Sequence, residues 1–180
     1  MNNLATSDVE IPWVRVEHRG PVAWLFLNRP TKYNALSAAM LSALLDALAA
    51  LAKDPATRVI VLAAEGRAFS AGHDLNEMGA DRALDDFRAL FARCSELMLA
   101  IQRQPQPVIA RVQGIATAAG CQLVAMCDLA VASSISIACL RGTLRLSGTE
   151  GVAQNSPRLI PETAKRALLL ATARSHIATS

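Results

Sequence analysis

The chain has 180 residues, 52% hydrophobic and 18% charged, which excludes a disordered protein and fits one domain with a sizeable core. Its net charge of +3 comes from 18 basic and 15 acidic residues spread along the chain, with no basic run and only four Phe, two Trp and one Tyr, so a nucleic-acid surface is not expected. The opening "MNNLATSDVEIPW" has neither a basic flank nor an apolar h-region, and no apolar run is long enough to span a bilayer, so a cytoplasmic protein without a secretory signal is expected.

The first predicted element is "VAWLFLN", Val22 to Asn28, bounded by Gly20-Pro21 and Arg29-Pro30. Apolar residues at nearly every position predict a strand buried on both faces. From Ser37 to Asp54, Met40, Leu41, Leu44, Leu45, Leu48 and Leu51 recur at three- and four-residue steps. That spacing predicts a helix with Ser37 as N-cap and a stop at Asp54-Pro55. "RVIVLAA" then reads as a second buried strand, and strand, helix and strand together predict a right-handed βαβ unit with a parallel sheet.

A second amphipathic helix is predicted over Ala80–Gln104, with Leu84, Phe87, Leu90, Phe91, Leu97 and Met98 among its apolar positions. The prolines of "QPQP" stop it. "VIARVQG" reads as another strand, the Ala-rich stretch to Met126 as a helix, and "DLAVAS" as one more strand. After about Ser134 the pattern weakens, and the one further helix predicted is "PETAKRALLLATAR", with Pro161 at N1 and Glu162 in the first turn. A core over residues 11–134 and a divergent tail over 135–180 follow from this. The four cysteines, Cys94, Cys121, Cys127 and Cys139, form no C-x-x-C pair. They are expected to be reduced core thiols rather than a metal or redox site.

Four stretches occur in one order: "LNRPTKYNALS" (27–37), "AFSAGHDLNEM" (68–78), "PVIARVQGIATAAGCQLVAMCD" (107–128) and "LAVAS" (129–133). Together they resemble the crotonase, or enoyl-CoA hydratase/isomerase, superfamily, and most closely its enoyl-CoA hydratase domain-containing branch. The resemblance covers about three quarters of the chain. It implies an α/β crotonase-like (ClpP/crotonase) fold, incomplete at the C-terminus, and a fatty acyl-CoA thioester as substrate, with coenzyme A entering as part of that substrate and no other cofactor. A homotrimer of the family type is implied as well.

Chemistry on a thioester in this superfamily passes through an enolate, whose oxygen is held by preorganised donors. Carried over by motif position, those donors are the backbone N–H groups of His73 and Ala119, the latter near a helix start where N–H groups are free. Small residues at 117–120 let a thioester approach the backbone. Lys32 and Arg29 are candidates for phosphate contact or, equally, solvated turn residues. Ala71, Gly72, His73, Asp74, Leu75 and Asn76 would flank the thioester arm, with Asp74 capping the next helix. The imidazole of His73 is not assigned a role, and His18 and His176 are expected at the surface.

The chain departs from the family at the water-activating glutamates. Gln122 stands where the first belongs, and glutamine can orient a water but cannot take its proton. The second is expected near Gly142, where no acid stands, and Glu150 is the nearest carboxylate downstream. The expected activity is therefore that of an enoyl-CoA hydratase-like lyase or isomerase. The alternatives are an impaired acyl-CoA-binding or assembly protein, and an inactive fragment.

Overall fold

A computed structural model of the chain describes residues 12–79, 81–132 and 151–154. Val14–Arg19 (β1) and Val22–Leu27 (β2) form an antiparallel hairpin whose turn uses Gly20 at φ +59, a left-handed backbone that glycine adopts without cost. Ala38–Lys53 (α1) follows, and Val59–Ala64 (β3) then pairs in parallel with β2, Val22 opposite Val59. The expected strand–helix–strand unit with parallel strands is present. Ser37 caps α1 as predicted, its side chain accepting from the Met40 N–H at 3.2 Å, and Asp54 ends it.

Beyond β3 come a short strand Ala68–Ser70 (β4), the helix Leu84–Arg103 (α2), and strands Val108–Val112 (β5) and Ile115–Ala116 (β6). The helix Ala119–Met126 (α3), Leu129–Ala132 (β7) and Gly151–Gln154 (β8) complete the described elements. The main sheet runs β1-β2-β3-β5-β7-β8, parallel in its middle and antiparallel at both edges. β4 and β6 pair separately in parallel.

Alternation along the main strands divides the apolar residues between two faces. Leu25, Leu27, Ile60, Leu62, Val108 and Ala110 join the buried residues of all three helices in one cluster. Trp24, Phe26, Val61 and Ala63, at the intervening positions, form a separate cluster. The described helices thus share one face of the sheet rather than surrounding it. Arg15 and Arg19 lie over the rings of Phe26 and Trp24. Among the described residues no helix is long and apolar enough to cross a membrane.

Three expectations need correction. The second helix starts at Leu84 rather than Ala80, because the Asp86 carboxylate accepts from the Ala83 N–H and sets the first turn there. Leu84 and Phe91 are 64% and 46% exposed, and the buried stripe runs through Leu90, Cys94, Leu97, Met98 and Ile101. Cys121 is disulfide-bonded, whereas Cys94 and Cys127 are buried free thiols. Apolar surroundings report burial and say nothing about oxidation state, so the expectation of four reduced thiols was too broad. The helix predicted over 161–174 lies outside the described residues.

Candidate functional site

The site begins at the C-terminal end of β2. Pro30–Lys32 makes one 3₁₀ turn, and Tyr33 and Asn34 follow at φ 49 and 52. Asn34 is fully buried; its Nδ2 donates to the carbonyls of Glu65 and Ala68, both at 2.9 Å, and its Oδ1 accepts from the Arg29 N–H. Asparagine tolerates this left-handed backbone better than most residues. The two Nδ2 bonds tie Asn34 to the β3–β4 connection at Glu65 and to the start of β4 at Ala68, and the third closes the turn from Arg29.

That segment holds the "SAGHD" loop by its backbone. The Ala71 N–H donates to Tyr33 O, Leu36 N–H to Gly72 O, and Asp74 N–H to Leu36 O. The Gly72 N–H donates to the Ser70 hydroxyl at 3.2 Å. Of the four consecutive amides from Ala71 to Asp74, three are engaged, and that of His73 has no acceptor among the described residues. A buried or half-buried N–H left open is uncommon.

The second half comes from the start of α3. Thr117 N–H donates to Ser70 O at 3.0 Å, and the Gly120 N–H turns back to Thr117 O. Ala119 is the first helical residue, and its N–H too lacks an acceptor among the described residues, as expected of a helix N-terminus. Two glycines permit the close approach. A Cβ on Gly120 would lie 2.6 Å from Ser70 O, and one on Gly72 would lie 2.9 Å from the Ala118 Cβ and 3.3 Å from the Ala119 nitrogen. The loop carrying the His73 amide therefore packs directly on the helix start carrying the Ala119 amide.

Other predicted residues separate into groups. Ala71, Leu75, Asn76 and Gln122 are exposed, and Gln122 shares with Ala118 the open face of the first turn of α3. Asp74 caps a 3₁₀ turn over Leu75–Met78 by accepting from the Asn76 N–H at 2.9 Å, which is the capping role expected of it. Lys32 is exposed, while Arg29 lies over the Trp13 ring, 3.9 Å from its centroid. Gly142 and Glu150 lie outside the described residues.

Sequence reasoning missed several contributors. Glu77 accepts from the Ala38 N–H at 2.7 Å, so an acid of the motif loop caps α1. Arg67 lies over the Tyr33 ring and donates to its hydroxyl. The ring of His73 meets Phe91 edge-on at 5.2 Å, its Nδ1 buried without a hydrogen-bond partner. Burial pushes the Cys127 thiol, just after α3, far above its ordinary value, and the neighbouring Asp128 charge adds to this. This thiol is no nucleophile.

Comparison with known proteins bears on this arrangement. The family described as "Enoyl-CoA hydratase/isomerase" matches residues 17–176, extending past Ser134, where the motif pattern weakens. The chain is 50% identical over 120 residues to the zebrafish (Danio rerio) mitochondrial enoyl-CoA hydratase domain-containing protein 3, covering 67% of this chain and 42% of the relative. It is 39% identical over 120 residues to the 2,3-dehydroadipyl-CoA hydratase of Escherichia coli K12, covering 65% and 45%. Among solved structures, an enoyl-CoA hydratase from Mycobacterium smegmatis superposes with a TM-score of 0.69 at 57% identity, over 71% of this chain and 51% of that one. Human enoyl-CoA hydratase domain-containing protein 3 gives 0.68 at 42% identity, over 70% and 50%. The chain thus spans about half the length of the relatives it matches. On the profile match, these identities and the crotonase fold, the chain belongs to the enoyl-CoA hydratase/isomerase family.

Proposed function

We propose that the chain binds a fatty acyl-CoA thioester and stabilises the enolate of its acyl group between the backbone N–H groups of His73 and Ala119. One observation carries this reading: two N–H groups without acceptors stand on segments in contact, with Gly72 leaving room beside Ala119 that no other residue type would leave. A thioester carbonyl entering that gap accepts from both. Its oxygen gains charge as the enolate forms, so both bonds strengthen towards the transition state. The α3 dipole acts in the same direction.

Lys32, exposed beside the site, would meet the coenzyme's phosphates by charge. The loop from Ala71 to Asn76 flanks the pantetheine arm. Gln122 lines the pocket and orients a water without taking its proton. No metal or separate cofactor enters this scheme. The chemistry is that of an enoyl-CoA hydratase-like lyase or isomerase, and the E. coli relative's name, a hydratase of an enoyl-CoA, agrees in substrate class.

Thermal unfolding with and without crotonyl-CoA tests the reading. At a ligand concentration a hundredfold above Kd, binding adds about 2.7 kcal/mol, and the transition moves upward. Gly72→Ala brings a methyl to 2.9 Å from the Ala118 Cβ at a backbone of φ +88, and is expected to abolish that shift. A wild-type transition indifferent to crotonyl-CoA refutes the proposal.

A further inference from the structure

We infer that Ser70 is a positioning residue that sets the spacing between the two amide donors; this rests on the thioester reading proposed above. Ser70 is fully buried on the short strand β4 and touches both halves of the site through different atoms. Its hydroxyl donates to Asn34 O at 2.9 Å and accepts from the Gly72 N–H at 3.2 Å. Its carbonyl accepts from the Thr117 N–H at 3.0 Å, two residues before Ala119. Gly120 packs on its carbonyl and Cβ so closely that no side chain fits between them.

A single residue therefore links the pinned segment at Asn34, the loop that aims the His73 amide and the turn that aims the Ala119 amide. The hydroxyl has a specific function in this chain. Without it, the Gly72 N–H is open, and the peptide between Ala71 and Gly72 is left without a hydrogen bond among the described residues. Tilting of that peptide shifts the Gly72 Cα, from which the next peptide carries the His73 N–H, and the bond from Leu36 N–H to Gly72 O is then the one tie left on that donor's plane among the described residues. Donor placement matters at the scale of tenths of an ångström to an ångström in a preorganised site. Ser70 touches no substrate atom in this scheme and acts through the two amides.

The test compares two ligands on the full chain: crotonyl-CoA, and S-butyl-CoA, a thioether that lacks the carbonyl oxygen. The ratio of their affinities isolates the carbonyl's contribution from coenzyme binding and from general stability. Ser70→Ala is expected to lower the preference for the thioester by about tenfold while thioether affinity stays unchanged. In parallel, the infrared carbonyl band of bound crotonyl-CoA should return most of the way to its position in free solution. Full retention of the thioester preference in Ser70→Ala overturns the inference. So does parallel weakening of both ligands, which is the signature of a merely structural role. A wild-type chain that binds both ligands but shows no preference overturns the oxyanion reading itself, and the role of Ser70 with it. Where Ser70→Ala fails to fold by circular dichroism, Ser70→Cys decides, its thiol being a weak donor and acceptor of similar shape. An intermediate preference supports the positioning role, and an unchanged one overturns it.

Discussion

Ala118 holds φ 47 and ψ −123 immediately before α3, a backbone that an L-residue reaches only against its own Cβ. The strain sits between a Thr117 tied to Ser70 and a helix that starts at Ala119. Ala118→Gly removes that strain of about 1–3 kcal/mol at the expense of up to about 1 kcal/mol of chain entropy in the unfolded state. A net stabilisation of about 1 kcal/mol is expected, read from urea unfolding at constant m-value. A loss of stability would mean that the methyl packs more than it strains. At this scale the sequence was legible where a cap followed a spacing rule, as at Ser37 and Asp74. It was opaque at Asn34 and Ser70. Their importance lies in side chains reaching 31 to 36 positions along the chain, and no local periodicity reports such a bond.

The long elements were readable because burial repeats along them: α1 by its three- and four-residue steps, β2 and β3 by unbroken apolar runs. β4 and β6, with three and two residues, are too short to show any period, and they flank the candidate site. The join after α1 gives a testable case. The Asp54 carboxylate accepts from the Thr57 hydroxyl at 2.6 Å and from the Ala56 N–H at 3.0 Å. Those bonds, the Thr57 one foremost, hold its pKa below the ordinary carboxylate value. A group depressed on folding contributes stability that is present above its unfolded pKa and lost as pH falls through the folded value. Asp54→Ala is accordingly expected to lower Tm at neutral pH and to converge on the wild type as the solution is acidified below the usual carboxylate range. A Tm difference that persists undiminished at low pH would show that the turn does not depend on the charged form.

At the scale of the molecule, the fold and family were legible from four motif blocks, and the proposed chemistry can be probed at one position. Gln122 is exposed on the first turn of α3, three residues after Ala119 and one turn from Ala118. In the proposed scheme a side chain there would reach towards the thioester carbonyl, because residues three and four apart share a helix face. Glutamine can hold a water at that place but offers no base to take its proton, and general base assistance is commonly worth about 10²–10⁴ in rate. Gln122→Glu changes one amide to a carboxylate of nearly the same shape on an open surface, so it should neither overpack the core nor bury a charge. Its effect on folding should be within about 0.5 kcal/mol. The expected outcome is a measurable gain in hydration of crotonyl-CoA, followed by loss of absorbance of its conjugated double bond, with an acid limb reporting the new carboxylate. Unchanged ligand affinity alongside the gain would place the effect on the chemical step, because a base acts in the transition state and not in binding. No gain, in a chain that still binds crotonyl-CoA, would mean that one carboxylate is insufficient and that the thioester pocket functions here as a binding site.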